Sequence, residues 1–487
     1  MSISAVTIET DNKNIRIPTI CILCIAVLGF LQGCSPAPQE PWHTEELVEE
    51  FSVAKSDKIR TFEDYLGLED RLFLELKEKV YARVGSGPAY ELVRYSSGSA
   101  ADPQDKQPNW NRSFEFTNDA AIGGVLLLHG MSDSPYSLRA LAKTLKQHGY
   151  WVIGLRLPGH GTAPSGLKHV TMGDMAAAVR LGMEHLSKQL GDKPVHMIGY
   201  STGAPLALDF TLNAMEKEVS PVPASLVLIS PAIRVHPIAA LARFKERLSI
   251  VPGLGGLAWT QILPEFDPYK YNSFATNAGD VVHQLTRSVD KRIAKRAQST
   301  PNDSLPPILV FKSTVDSTVS SGAVIDRLLS MLAPKRHELV LFDINRSAAK
   351  STLLISDPAP LTNRLMRDNK LPFTLTLVTN ENSDTADVVV RQKKPLTTNI
   401  SDTKKLGLSW PMGIISLSHV ALPFPPNDPL YGRHFPANPD NYFLGDIALK
   451  GERGLLKLPG DWLLRMRYNP FYNLVENRVL EWLEKSN

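Results

Sequence analysis

A glycine-flanked motif near the middle of the chain could supply a serine nucleophile. Gly199-Tyr200-Ser201-Thr202-Gly203 has the pattern Gly-x-Ser-x-Gly. It follows an apolar run, residues 195–198, and opens a helix-compatible stretch, residues 204–215. Glycines at these positions allow a sharp strand-to-helix turn that exposes the hydroxyl, and the helix N-terminus favours negative charge beside it. The motif and its setting predict that Ser201 attacks acyl carbon atoms.

A second loop could stabilise the oxyanion that forms during such an attack. His129-Gly130-Met131 ends an apolar run, residues 124–128. Two backbone N–H groups must point at the oxyanion, and we expect them to be those of Met131 and Thr202. His129 is expected to shape the loop, because at a serine on this kind of turn the histidine base comes later in the chain. Pro158-Gly159-His160-Gly161 is expected to form a structural turn bordering the pocket.

Alternating strand and helix patterns surround these motifs. A helix is predicted over residues 172–190, where Thr171 and Asp174 have the spacing of a capping box. Short, continuously apolar runs are typical of strands buried on both faces of a parallel sheet; they lie at residues 124–128, 150–155, 195–198, 226–229 and 308–311. The repetition predicts a doubly wound, mainly parallel α/β fold.

Two segments interrupt this alternation. Residues 232–299 have a mainly helical pattern, and we interpret them as a cap over the carboxyl ends of the strands. Their apolar residues are expected to face a partner surface: Leu241, Leu248, Leu254, Leu257 and Trp259. Residues 346–411 are polar, with strand signals at 373–377 and 388–390, and their role is left open.

Three ordered motifs resemble those of the α/β-hydrolase superfamily, in particular its monoglyceride lipase, carboxylesterase and serine aminopeptidase-like branch. They are Leu127-Leu128-His129-Gly130-Met131-Ser132-Asp133-Ser134-Pro135, Pro158-Gly159-His160-Gly161 and Gly199-Tyr200-Ser201-Thr202-Gly203. The resemblance covers residues 122–319 and the end of the chain. It implies an α/β-hydrolase fold, a serine–acid–histidine triad in that chain order, a cap after the sixth strand, and hydrolysis through an acyl-enzyme.

The resemblance implies that the acid lies in a turn after the strand that follows the cap. Residues 307–312 lead into such a turn, and Asp316 is the expected acid. Asp303 precedes the strand and Asp326 lies in a helical stretch, so we interpret both as surface carboxylates.

Three histidines follow Asp316: His337, His419 and His434. His419 is the expected base, because it ends a strand-like run, residues 414–418, and begins a proline-rich loop that would hold it rigidly. His434 is the second candidate, and His337 is expected at a solvated strand entrance. The long separation of Asp316 from His419 requires an insertion to loop out between them.

Composition and charge exclude several classes of protein. The chain has 487 residues, 43% of them hydrophobic, and 53 Lys and Arg against 50 Asp and Glu, a net charge of +3. This composition excludes a disordered chain, and the balanced charge does not indicate nucleic-acid binding. Because Cys21, Cys24 and Cys34 are the only cysteines, no disulfide, Cys-ligated zinc or thiol nucleophile is predicted after residue 34.

The first 34 residues have the pattern of a targeting signal. Lys13 and Arg16 precede an apolar run, residues 17–31, that is shorter than the roughly 20 residues of a membrane-spanning helix and is typical of a signal peptide. Leu31-Gln32-Gly33-Cys34 resembles a bacterial lipoprotein signal, which implies cleavage before Cys34 and its acylation, with palmitate as one acyl chain. Ser35 favours the outer over the inner membrane. An uncleaved N-terminal anchor is the alternative.

The predicted organisation has seven segments: a signal peptide (1–33), a tether and helical extension (34–120), core segments (121–231, 300–345 and 412–487), a cap (232–299) and an insertion (346–411). The predicted function is hydrolysis of small acyl or lipid-like carboxylic esters in the cell envelope, with no metal or organic cofactor. The alternatives are a peptidase or amidase with the same triad, and an inactive envelope lipoprotein that binds a ligand. Acyl length and oligomeric state are left open.

Overall fold

The computed structural model describes residues 38–55, 57–218, 221–234, 255–299, 305–316, 318–349, 354, 357–434, 442–445 and 465–486. The predicted signal peptide, Cys34, Asp303 and three of the predicted cap leucines (Leu241, Leu248 and Leu254) lie outside these ranges. Within them, no helix is both long and apolar enough to cross a membrane.

One mixed sheet forms the centre of the fold. Among the described residues its ten strands are β1 (Phe114–Phe116), β2 (Gly123–Leu128), β3 (Tyr150–Leu155), β4 (Val195–Tyr200), β5 (Leu226–Ile229), β8 (Ile308–Ser313), β9 (Glu338–Phe342), β10 (Thr374–Asn380), β11 (Asp387–Lys393) and β12 (Ile400–Ser409). Two further strands, β6 (Trp259–Gln261) and β7 (Phe274–Ala275), form a separate hairpin. The order in the ten-stranded sheet is β1-β3-β2-β4-β5-β8-β9-β10-β11-β12. Neighbours from β3 to β10 pair in parallel, and β1, β11 and β12 pair antiparallel. The predicted doubly wound, mainly parallel sheet is confirmed.

Helices cover both faces of this sheet. In the described ranges they are α1 (Pro41–Thr44), α2 (Phe62–Lys79), α3 (Arg139–Gln147), α4 (Met172–Leu190), α5 (Gly203–Glu216), α6 (Thr276–Ser299), α7 (Ser321–Arg327), α8 (Ala359–Arg367) and α9 (Tyr472–Glu484). Because side chains alternate along a strand, Leu126 and Leu128 join one core with α2, α4, α5 and α6, whereas Val125 and Leu127 join a second core with α3 and α9. The predicted helix at 172–190 is confirmed, and the Thr171 hydroxyl caps it by accepting the Asp174 N–H at 3.1 Å.

The insertion at 346–411 extends the sheet. Its helix α8 leads into β10, which pairs in parallel with β9, and β11 and β12 follow as antiparallel strands. Asn345 ties the two ends of the insertion together, because its N–H donates to Ile415 O at 2.7 Å and its Nδ2 donates to Ile414 O at 3.0 Å. The chain therefore leaves and rejoins the core at one point near the carboxyl end of β9.

The strand expected at 414–418 is absent from this described segment, which has irregular backbone. The segment has no place beside β9, since β9 pairs with β8 on one side and with β10 on the other. The apolar pattern instead reflects burial, and Leu417 is fully buried in the core that contains α9.

The described part of residues 232–299 has two components. The β6–β7 hairpin and its flanking loops run over residues 255–275. Helix α6 then buries Val281, Leu285, Val289 and Ile293 in the same core as α5. Trp259 is buried against His43, with ring centroids 4.9 Å apart, so this apolar residue packs within the chain.

A buried arginine fastens the N-terminal region to the sheet. Arg156, directly after β3, places its Nε 3.0 Å from Glu69 of α2 and its Nη2 3.0 Å from Glu50. The side chains of Arg156 and Glu69 are buried. Burial raises the pKa of Glu69, and the Arg156 charge opposes this rise.

We expect Arg156→Met to lower the free energy of unfolding by about 3–5 kcal/mol, because it leaves the buried Glu69 carboxylate without its charge partner. Arg71→Met is the matched control: Arg71 pairs with Glu49 at 3.0 Å on the surface, and its loss is expected to cost less than about 1 kcal/mol. Urea unfolding curves measure both values. Equal losses in the two variants would contradict this role of Arg156.

Candidate active site

Ser201 occupies a tight turn between β4 and α5. Its φ is 51°, in the left-handed region, and its N–H donates to Ile229 O at 2.9 Å. A Cβ on Gly203 would overlap the Leu128 carbonyl, and a Cβ on Gly199 would overlap the backbone of Ala204. The two motif glycines are therefore required because backbone approaches them closely, and the turn lifts Ser201 above the carboxyl edge of the sheet.

His419 lies in hydrogen-bond contact with both Ser201 and Asp316. Its Nε2 is 3.1 Å from Ser201 Oγ, and its Nδ1 is 2.7 Å from Asp316 Oδ2. An ionised Asp316 only accepts hydrogen bonds, so Nδ1 carries the proton and Nε2 of neutral His419 is left to accept from the Ser201 hydroxyl. The structure thus brings the three sequence-predicted residues together.

Asp316 is held by four donors in the turn after β8. Its Oδ1 accepts the N–H groups of Thr318 at 2.9 Å and Val319 at 3.0 Å. Its Oδ2 accepts from both His419 and Lys312 Nζ. The carboxylate is buried, so these donors replace the water that it loses on folding.

Lys312 is a site residue that the sequence analysis missed. It lies on β8, is fully buried, and donates to Val319 O at 2.7 Å as well as to Asp316. The available signal was a lysine continuing an apolar run in a strand predicted to be buried on both faces. Lysine is almost never buried without a partner, so its position pointed to a nearby carboxylate.

The charges at this site set the protonation of the pair. Burial alone raises the pKa of Asp316, but hydrogen bonding and charge from His419 and the charge of Lys312 outweigh it and hold the pKa well below its ordinary value. Burial lowers the pKa of His419; the Asp316 carboxylate opposes that effect and Lys312 adds to it, leaving the pKa below 6.5. At neutral pH His419 is therefore uncharged and Asp316 is ionised.

The predicted oxyanion loop lies directly against the serine. A Cβ on Gly130 would be 3.1 Å from Ser201 Cβ. His129 fixes the loop, as expected, because its Nε2 accepts the Leu157 N–H at 3.0 Å and its Nδ1 lies 2.8 Å from Gly130 O. In the part of the chain that the structure describes, the N–H groups of Met131 and Thr202 have no protein acceptor.

The alternative acids and bases lie elsewhere. His337 precedes β9, at the edge of the sheet opposite Ser201, and it accepts the Ile308 N–H at 3.2 Å. The expected solvated environment is wrong: His337 is buried, and this lowers its pKa to about 4. His434 is exposed, and Asp326 is a surface carboxylate 3.9 Å from Arg364. Asp303 lies outside the described ranges.

Part of the sequence is similar to a known protein family. Residues 119–344 match the family model described as serine aminopeptidase, S33. The chain has the α/β-hydrolase fold. Among the described residues, no cluster of three or more His, Cys, Asp or Glu side chains suits a metal ion.

Two curated proteins and one solved structure illustrate the similarity. The chain is 33% identical over 117 residues to a thermostable monoacylglycerol lipase of Bacillus sp. (strain H-257), covering 24% of this chain and 44% of that protein. It is 27% identical over 128 residues to a carboxylesterase of Bacillus subtilis (strain 168), covering 26% and 52%. It thus spans about half the length of these curated relatives. A Paleococcus ferrophilus monoacylglycerol lipase structure is 20% identical, with a TM-score of 0.37, covering 47% of this chain and 88% of that one.

Replacing Lys312 with methionine is expected to raise the pKa of His419, because it removes a positive charge that disfavours the imidazolium. Neutral His419 is needed to activate Ser201, so the rate of labelling by a fluorophosphonate should begin to fall at a higher pH in Lys312→Met than in the unmodified protein as the pH is lowered.

The pH profile of labelling measures this effect, and Lys188→Met, which removes an exposed lysine from α4, is the control for net charge. A profile in Lys312→Met that is unchanged or moves to lower pH would contradict the electrostatic role of Lys312.

Proposed function

We propose that this protein is a serine hydrolase that cleaves carboxylic esters through an acyl-enzyme. The observation that carries the proposal is the hydrogen-bonded chain from Ser201 through His419 to Asp316. A serine hydroxyl is a weak nucleophile at its free pKa and needs a base within this reach. The two curated relatives, a monoacylglycerol lipase and a carboxylesterase, support an ester as the bond that is cleaved.

The proposed reaction has two similar halves. His419 Nε2 takes the proton as Ser201 Oγ attacks the ester carbonyl carbon, and Asp316 holds the imidazole tautomer and stabilises the imidazolium. The tetrahedral intermediate collapses as His419 protonates the leaving alcohol, so an acyl-serine remains. Water then attacks the acyl carbon with His419 again as the base, and this releases the acid and restores Ser201.

The N–H groups of Met131 and Thr202 are the proposed oxyanion donors. Both belong to backbone that contacts Ser201, and neither is engaged by another described group. Donors that are fixed in place before the reaction cost no reorganisation when negative charge develops, and one such donor contributes about 10²–10³-fold to the rate. Thr202 is also the residue before α5, whose N-terminus favours the same charge.

A peptidase or amidase is the second candidate, because the matched family is described as serine aminopeptidase. The same three residues can cleave an amide, and the difference lies in how well the leaving amine is held and protonated. An inactive binding lipoprotein is the third candidate. Fluorophosphonate labelling that Ser201→Ala abolishes would separate both enzymes from it.

We propose a location in the cell envelope, with the protein attached through an acylated Cys34, in the outer rather than the inner membrane. The support comes from the sequence alone: a short apolar run ahead of Cys34 and the absence of an acidic residue after it. A single acyl chain gives only reversible membrane binding, so several chains are required at Cys34.

Ser201→Ala and His419→Ala should each lower kcat/KM for a p-nitrophenyl ester by at least about 1,000-fold. The kcat/KM of the double variant should be no lower than that of the less active single variant, because the two residues act as one unit. The assay is run beside an aminoacyl anilide, and faster turnover of the anilide would favour the peptidase. His434→Ala is the matched control. A larger loss in His434→Ala than in His419→Ala would contradict the assigned base.

Cys34→Ser should leave ester hydrolysis intact and move the protein from the membrane fraction to the soluble fraction, because it removes the acylated atom. Cys24→Ser, which keeps Cys34, is the control and should stay with the membrane. Membrane fractionation of cells measures both. A Cys34→Ser protein that stays in the membrane fraction would contradict lipid attachment at this residue.

A further inference from the structure

Met131, one of the two proposed oxyanion donors, lies in a tight turn that contains a left-handed residue. The Asp133 N–H donates to Gly130 O at 3.3 Å, so Met131 and Ser132 are the central residues of a β-turn. The hydrogen bond of such a turn does not use the N–H of its first central residue, here Met131. Ser132 has a φ of 61°, which glycine adopts freely and other residues adopt at a cost. Contacts from outside the turn are therefore needed to hold this conformation.

Tyr271, in the loop between β6 and β7, makes one of these contacts. Its N–H donates to Ser132 O at 2.7 Å. Its side chain is buried, and its hydroxyl accepts the Thr162 N–H at 2.8 Å and donates to Gly159 O at 3.3 Å. Tyr271 thus joins three segments: the loop between β6 and β7, the glycine-containing turn after β3, and the oxyanion loop.

A buried carboxylate fixes the backbone that follows Tyr271. Glu265 accepts the N–H of Asn272 at 2.9 Å and the N–H of Ser273 at 2.7 Å. The Glu265 side chain is 2% exposed, so water does not compete for these two bonds. The Tyr271 N–H is therefore held in place by the Tyr271 hydroxyl on one side and by the Glu265 carboxylate on the other.

The Met131 side chain contacts the same group of residues. His160 Nε2 lies 3.2 Å from Met131 Sδ. The rings of His160 and Tyr271 are nearly parallel, with centroids 6.5 Å apart. Burial lowers the pKa of His160 to about 4, so the ring is neutral at neutral pH. Met131 is thus held at its side chain by His160, while the next residue is held at its carbonyl by Tyr271.

We propose that Tyr271 is a positioning residue for the oxyanion hole, and that it holds the turn at 130–133 in the conformation that presents the Met131 N–H to the substrate. The inference rests on the proposed ester hydrolysis and adds a residue that lies outside the three sequence motifs. Tyr271 acts through Ser132 O. Because negative charge on the carbonyl oxygen develops only on the way to the tetrahedral intermediate, loosening the turn weakens binding of the transition state more than binding of the ester.

Tyr271→Phe removes the hydroxyl that ties this loop to the turn after β3. It should lower kcat/KM for a p-nitrophenyl ester by about tenfold or more, because a small displacement of one donor already costs rate. The inhibitor 1,1,1-trifluorooctan-2-one adds Ser201 to its carbonyl and forms a tetrahedral anion, so its Ki should rise by the same factor as kcat/KM falls. Octan-2-one, which binds without this addition, should keep its Ki.

The matched control is Tyr65→Phe. It also removes a buried tyrosine hydroxyl that donates to a backbone carbonyl, that of Arg156 at 2.8 Å. It should leave kcat/KM and both Ki values unchanged. In Tyr271→Phe the pH profile of fluorophosphonate labelling should also stay in place, since His419 keeps its contacts with Asp316. This readout separates an effect on the oxyanion hole from damage to the base.

Ser132 allows a second test that leaves Tyr271 intact and decides the question if Tyr271→Phe does not fold. Valine is strongly disfavoured at positive φ, whereas glycine adopts it freely. The kcat/KM of Ser132→Val should therefore be at least about tenfold below that of Ser132→Gly, which corresponds to the cost of a left-handed residue. The Ki of the trifluoromethyl ketone should differ between the two variants by the same factor.

A Tyr271→Phe protein with an unchanged Ki for the trifluoromethyl ketone would overturn the positioning role while leaving the proposed hydrolase standing. A loss of affinity shared equally by octan-2-one would also overturn it, as would equal activity of Ser132→Val and Ser132→Gly. If the unmodified protein cleaves no ester and Ser201 is not labelled by a fluorophosphonate, the proposed function fails, and the role of Tyr271 fails with it.

Discussion

The hydrogen bond between His419 Nε2 and Ser201 Oγ joins residues that lie 218 positions apart in the chain. It forms only if the turn after β4 and the loop that follows the insertion meet above the same edge of the sheet. Parallel strands deliver their carboxyl ends to one edge, which is where α/β proteins place their ligands. The sheet is therefore the part of the fold that makes this contact between distant residues possible.

The insertion shows how this geometry tolerates a large addition. Asp316 and His419 are separated by 103 residues, yet Asn345 holds the start of the insertion beside its end. The added strands β10, β11 and β12 lengthen the sheet at its far side. Because the insertion closes on itself before His419 begins its turn, the distance between His419 and Asp316 does not depend on the length of the added chain.

Burial gives the charged groups of the site their properties. A buried carboxylate is stable only when it is paired and hydrogen-bonded. Asp316 accepts hydrogen bonds from two backbone N–H groups and from the side chains of His419 and Lys312. Lys312 shares the oxygen that faces His419. Burial is the main reason that the pKa of His419 is lowered, and the Lys312 charge adds to this effect while it stabilises the ionised acid.

Local patterns predicted the centre of the fold well, because strands such as 150–155 and the helix at 172–190 are specified by short runs of apolar and capping residues. The segment 414–418 was assigned wrongly, since an apolar run shows burial but not whether a sheet edge is open. The buried position of His337 and the contact of Lys312 with Asp316 depend on neighbours distant in sequence. The tight turn at Ser201 was predictable because its glycines are a local requirement of the turn.

A crystal structure of the protein after reaction with a fluorophosphonate tests the central claim most directly. The account predicts a covalent bond between phosphorus and Ser201 Oγ, with the phosphonyl oxygen within about 2.7–3.1 Å of the Met131 and Thr202 nitrogen atoms and His419 still bonded to Asp316. An adduct on another residue, or a phosphonyl oxygen turned away from both N–H groups, would contradict it.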